Sequence, residues 1–116
     1  MASDQRTSAK TLRLDPAVTA RGVIDLPGSK SISNRALLLA ALAQGETELN
    51  GVLDSDDTRV MRDALRTLGV TLDDADPNRI RISGNTRWPV REAQLFLGNA
   101  GTAFRPLAAV LAMMGG

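Results

Sequence analysis

The sequence predicts an α/β fold, with helices covering a sheet. Segments of strand-like and helical periodicity alternate along the chain in the order β-β-α-β-α-β-β-(β)-α, the pattern of that class. The 116 residues, 43% of them hydrophobic, suffice for an ordinary core and for one domain at most.

The elements follow from local signals. Residues 1–10 are polar and read as a tail. Residues 11–15 alternate weakly and are expected to form a short strand, and residues 22–26 (GVIDL) a better one, closed by Pro27-Gly28. A helix is expected from near Ser31 into the apolar run 36–43, buried on most faces, with Gly45 as its stop. Residues 47–52 fit a strand. Residues 56–68 are the clearest amphipathic helix: Val60, Met61, Ala64, Leu65 and Leu68 form one stripe, with Arg59, Arg62, Asp63 and Arg66 opposite. Gly69 ends it. Short strands are expected at 70–72 and 79–82, joined by the turn-rich DDADPN. Ile80 and Ile82 then face one way, Arg79 and Arg81 the other. A further strand is expected at 94–97 and a last helix from about 100 to 114.

Composition excludes several chemistries. With no Cys there is no disulfide, thiolate nucleophile or Cys zinc site, and with no His no imidazole base within this chain. A net charge of +1 and three aromatic residues argue against a nucleic-acid partner. No apolar run approaches the roughly 18 residues of a membrane span, and no apolar h-region follows the N-terminus. A cytoplasmic protein is the expectation.

The chemistry lies at three helix starts, where free N–H groups and the helix dipole favour negative charge. The helix at 56 has acids there, Asp54, Asp56 and Asp57 around Ser55, and these are expected to cap it. The helix near Ser31 does the reverse. Lys30 and Arg35 sit at its first turns, and Ser31 and Arg35, four apart, share a face. An anion bound among Lys30, Ser31, Arg35 and the free N–H groups resolves the conflict; a capping Ser beside two solvated cations is the alternative. GSKS lacks the spacing of a Walker A loop. The third start, Leu97-Gly98-Asn99-Ala100-Gly101-Thr102-Ala103-Phe104-Arg105-Pro106, strips side chains from its loop and leaves Asn99, Thr102 and Arg105 to offer polar groups. Pro106 either lies in the first turn or kinks the helix, since the carbonyl four back, that of Thr102, loses its N–H partner. By residues alone, an ordinary Gly turn with a Thr cap fits equally well.

Taken together, LPGSKSISNRALLLAALAQGET, VLDSDDTRVMRDALRTLGV and LFLGNAGTAFRPLAAVLA, in this order and spacing, closely resemble the N-terminal part of the EPSP synthase (3-phosphoshikimate 1-carboxyvinyltransferase) family, over about residues 23–114. The resemblance implies an enolpyruvyltransferase-like fold of βαβαββ units, two domains closing over the substrates. Residues 28–116 would be an incomplete first domain and residues 11–27 would associate with the second. It implies transfer of the enolpyruvyl group of phosphoenolpyruvate to the 5-hydroxyl of shikimate 3-phosphate with release of phosphate, by a monomer using no metal or organic cofactor. Lys30 would touch both substrates, Ser31 and Arg35 would hold shikimate 3-phosphate, and Asn99 and Gly101 would line the phosphoenolpyruvate site, where the inhibitor glyphosate also sits. Thr102, Arg105 and Pro106 would shape that site.

The family enzyme is several times longer, and its acid–base carboxylate lies beyond the stretch seen here. The chain is therefore expected to supply anion binding without proton transfer and to need the remainder of the enzyme for a complete site. The competing expectation is a non-catalytic α/β anion-binding module or inactive remnant.

Overall fold

The computed structural model describes residues 10–114. Its elements are α1 (Lys30–Leu42), β1 (Gly45–Asn50), α2 (Asp56–Thr67), β2 (Thr71–Asp76), β3 (Arg79–Gly84) and α3 (Gly101–Met114). The tail at residues 1–9 lies outside the described residues. Among the described residues no helix is long and apolar enough to cross a membrane.

The three strands form one antiparallel sheet in the order β1-β3-β2. β3 pairs with β1 from Gly45↔Gly84 to Asn50↔Arg79, and with β2 from Thr71↔Ser83 to Asp76↔Arg79, with an irregularity between Asp73 and Asp76. Because side chains alternate across a strand, Ile80 and Ile82 share the buried face with Leu72, while Arg79 and Arg81 face outward as expected. The acidic run Asp73-Asp74-Ala75-Asp76 belongs to β2 rather than to the turn. Asp73 and Asp76 each accept a hydrogen bond from the backbone N–H two residues on, so short polar side chains satisfy the irregular stretch. Pro77 and Asn78 alone make the turn.

The helices cover the buried face. Leu37, Leu38, Ala40 and Ala41 of α1, Met61, Ala64 and Leu65 of α2, and Ala103 and Leu107 of α3 join Ile80 and Ile82 in one core. The apolar run of α1 is less enclosed than its composition implies, since Leu39 within it is exposed, as is Ile32 before it. The end of α1 is held closely against β3. Asn85 N–H and Trp88 Nε1 both donate to the Ala41 carbonyl, at 2.9 and 3.0 Å. A Cβ at Gly84 would overlap the carbonyls of Ala40, Ala41 and Ala43, so only glycine allows this approach. Helix α2 ends as expected at Gly69, whose φ of +95° permits the bonds Gly69 N–H to Arg66 carbonyl and Val70 N–H to Leu65 carbonyl.

Among the described residues, three expected strands do not form: residues 11–15, 22–26 and 94–97 have no ladder partner there. Leu12, Leu14, Val23, Ile24 and Leu26 are all exposed. Strand-like periodicity needs a neighbouring edge and a surface to cover, and here the 10–27 segment meets neither. The 94–97 segment instead runs as irregular chain into α3, with Leu95 and Leu97 packed on the core and Phe96 exposed. Arg62 is also placed differently: far from facing solvent, it is only 5% exposed. It donates to the Thr58 carbonyl, to Asp74 at 3.0 Å and to Asp54 at 2.9 Å, which compensates its burial.

Candidate functional site

The starts of α1 and α2 are pinned to one another at Leu53. Ser33, buried in α1, accepts from the Leu53 N–H at 3.0 Å, and Thr58, fully buried in α2, donates to the Leu53 carbonyl at 2.6 Å. Gly28 fits against the same stretch, where a Cβ would come within 2.9 Å of Leu53 N. Thr58 also completes a reciprocal capping box with Ser55. Ser55 is thus the cap of α2, and the acids expected to cap it do other work. Asp54 and Asp56 bind Arg59, and Asp57 pairs with Lys30 at 2.9 Å. A hydroxyl pair closes the box, leaving the carboxylates free to reach cations.

Helix α3 begins beside α1. Asn34 Nδ2 donates to Thr102 Oγ1 at 2.9 Å across 68 residues of sequence. The loop before it turns at Gly98, with φ +54°, and Ala100 receives the Phe104 N–H at 2.8 Å. Pro106 lies in the second turn of the helix rather than the first, so the Thr102 carbonyl lacks its helical N–H partner.

These constraints create an open cleft of about 390 Å³. It is lined by Lys30, Ser31, Arg35, Asn99, Gly101, Thr102, Arg105 and Pro106, with Asp57 as the ninth lining residue. All eight residues singled out from sequence therefore meet on one surface. Neither α1 nor α3 carries an acid in its first turn, in contrast to α2. Ser29 caps α1 through the Ile32 N–H at 3.3 Å. Among the described residues, the N–H groups of Lys30, Ser31 and Thr102 have no acceptor, and Arg35 and Arg105 have no ionic partner. Three cations thus face one carboxylate, with unpaired N–H groups from two helix starts beside them. Such a surface favours anions. A Cβ at Gly101 would meet no atom within 4 Å, and Gly101 has no left-handed φ. Its missing side chain keeps space open rather than relieving backbone strain.

Two contributors escaped the reading of the sequence. Asp57 sits in an S-x-x-T box, where the local signal points to capping alone. Asn34 lies between two residues with clearer signals, and only the proximity of α3 makes its contact visible.

A second cavity, about 170 Å³, shares no lining residue with this cleft and is walled by Trp88, Leu95 and Leu111 together with Arg87 and Arg91.

Fold and cleft together define a class: a mixed α/β unit that presents two helix starts and an excess of cations to one open surface. The chain belongs to the EPSP synthase (3-phosphoshikimate 1-carboxyvinyltransferase) family, whose model matches residues 14–116. It is 63% identical over 110 residues to the 3-phosphoshikimate 1-carboxyvinyltransferase of Bordetella petrii, covering 95% of this chain and 25% of that protein. It is 61% identical over 106 residues to the protein of the same name from Ralstonia pickettii, covering 90% of this chain and 24% of that one. An EPSP synthase structure from Acinetobacter baumannii superposes with a TM-score of 0.67 at 31% identity, over 78% of this chain and 21% of the other. The chain spans about a quarter of the length of the curated relatives it matches.

Proposed function

We propose that the cleft is the N-terminal part of an enolpyruvyl-transfer site, holding shikimate 3-phosphate against Lys30, Ser31 and Arg35 and phosphoenolpyruvate against Lys30, Asn99 and Gly101. The observation that carries the reading is the convergence of two helix starts, three cations and the open space at Gly101 on one cleft in a chain of this family. Arg35 and Ser31, one turn apart on α1, are spaced to grip a phosphate between a guanidinium and a hydroxyl. Lys30, at the edge shared with α3, lies where two anionic substrates would repel each other most, and its charge offsets that repulsion. Thr102, Arg105 and Pro106 shape the phosphoenolpyruvate side. In the reaction, C3 of phosphoenolpyruvate gains a proton while the 5-hydroxyl of shikimate 3-phosphate adds to C2 and gives up its own proton; C3 then loses a proton as phosphate leaves C2 and the enol double bond re-forms.

Asp57, the carboxylate in the cleft, is engaged with Lys30 and so is poorly placed to move protons. The 116-residue chain alone is therefore an anion-binding unit whose turnover requires the rest of the enzyme: residues 28–116 part of one domain, residues 11–27 associated with the other. The assembled enzyme is taken to be a cytoplasmic monomer. The test is phosphate release from both substrates by the purified chain, with binding followed by NMR titration. Binding without release is the expected result. Release at an ordinary enzymatic rate, roughly 1–10³ per second, overturns the assignment of turnover to the missing part. Absence of binding overturns the site.

A further inference from the structure

Asn34 is fully buried inside α1, where its polar amide is a poor substitute for an apolar side chain. One end of the amide meets Thr102 Oγ1 at 2.9 Å, while Oδ1 has no partner. A hydroxyl both donates and accepts, so the bond forms in either orientation of the amide, but only with Nδ2 toward Thr102, as here, does the hydroxyl keep its own proton. In either orientation one end of the amide stays unsatisfied. A buried group with an unmet acceptor is a weak device for stability, since an apolar residue of similar size would fill the site without that cost. Its effect lies in where it reaches: from the helix carrying Lys30, Ser31 and Arg35 to the first turn of the helix carrying Thr102 and Arg105.

We propose that Asn34 is a positioning residue that couples the two halves of the cleft by holding the Thr102 hydroxyl as a donor toward the anion on the α3 side. The inference rests on the two-substrate reading above. As Nδ2 donates to Oγ1, the hydroxyl has its own proton left to give, and hydrogen bonds in such a chain strengthen one another. Asn34 also ties the start of α3 to α1. A ligand that fixes the Lys30–Arg35 half thereby fixes the position of Thr102, and by linkage the two ligands assist each other's binding.

The test uses the 116-residue chain, with shikimate 3-phosphate, phosphoenolpyruvate and inorganic phosphate as probes, followed by NMR titration beside melting curves. Thr102→Val and Asn34→Leu are each expected to weaken phosphoenolpyruvate about tenfold, as loss of a hydrogen bond to a charged group does. The double variant is expected to be no weaker than the weaker single one, and Thr102→Ser to bind as the parent does. Saturating shikimate 3-phosphate is expected to tighten phosphoenolpyruvate in the parent and not in Asn34→Leu. Unchanged phosphoenolpyruvate affinity in both single variants, or losses that multiply in the double variant, overturns the coupling. Where a variant fails to fold, the side-chain amide protons of Asn34 in the parent decide: a shift on adding phosphoenolpyruvate supports the relay, and no shift overturns it. A parent chain that binds none of the three probes overturns the two-substrate reading itself, which distinguishes that failure from failure of the coupling alone.

Discussion

Glycine 101 shows how one missing methyl group bears on function. With no left-handed φ and no atom within 4 Å of its would-be Cβ, it is free to become alanine without strain. Gly101→Ala is therefore expected to leave the melting temperature unchanged or slightly raised, because alanine is the better helix residue. Under the proposed function, the added methyl would project into ligand space in the complete enzyme. Glyphosate, longer than phosphoenolpyruvate when extended, is expected to lose affinity by a larger factor than phosphoenolpyruvate gains in KM, a selectivity that comes from a clash. Steady-state inhibition at several phosphoenolpyruvate concentrations checks this, and an unchanged ratio of the inhibition constant to KM refutes it. Arg35 and Asp57 form a second contrast. Arg35→Ala is expected to cost about 1.5–3 kcal/mol of shikimate 3-phosphate binding, since it removes a charge-assisted bond. Asp57→Asn is expected to act in the opposite direction. Asp57 competes for Lys30, and freeing a half-exposed ion pair of this kind tightens simple anions by less than about fivefold. Calorimetric titration of both variants with inorganic phosphate at low salt reads the sign directly.

Among the elements, the close seat of β3 on the end of α1 is the most sensitive joint. A Cβ at Gly84 would overlap the carbonyls of Ala40 and Ala41 in α1 and of Ala43 at its C-cap, and Asn85 and Trp88 both bond to the Ala41 carbonyl. Gly84→Ala forces backbone apart rather than a flexible side chain, and is expected to destabilise by about 1–3 kcal/mol. Urea unfolding checks it, and a midpoint equal to that of the parent rules out the tight joint. The elements also mark where sequence reasoning succeeded. Amphipathic spacing placed α2, and the alternation Arg79-Ile80-Arg81-Ile82 assigned both faces of β3 correctly. It failed at Arg62, because helical spacing records which side of a helix a residue takes, while burial there depends on Asp54 and Asp74 arriving from elsewhere.

The whole molecule carries a charge network on its α2–β2 side that sets its response to acid. The Arg59 guanidinium beside Asp54 holds that carboxyl below the usual range, and Arg66 does the same for Asp74, with Arg62 assisting both. A carboxyl that is more acidic when folded binds fewer protons in the folded state. Its contribution is thus complete above the ordinary carboxylate range and is lost as pH falls through that range toward the depressed values. Stability is expected to be flat from about pH 8 to 5 and to fall below about pH 4. Asp74→Asn is expected to lower stability at pH 7 and to flatten the acid limb. Urea midpoints at pH 7 and pH 3 check it, and an acid limb of equal steepness in the variant removes Asp74 from the account. High salt is expected to weaken the exposed Arg59 pairs more than those of the buried Arg62.

The order of helices and the inward faces of α2 and β3 were legible in the sequence from periodicity and glycine punctuation, and Lys30, Ser31 and Arg35 from cations placed where a helix dipole disfavours them; the other five cleft residues rested on the family resemblance, because locally an ordinary glycine turn with a Thr cap fitted them as well. Three features were not. The 11–15, 22–26 and 94–97 segments have strand periodicity but no paired edge, and pairing is a property of two segments. Asp57 read as a cap until Ser33 and Thr58 drew the starts of α1 and α2 to the same residue, Leu53, and brought the carboxylate to Lys30. Asn34 and Thr102 stand 68 positions apart, and nothing local to either residue names the other as its partner. Local propensity is encoded within a few residues, whereas a buried polar contact exists only when packing brings two distant groups within hydrogen-bond reach, and here that decision was made by the tertiary structure.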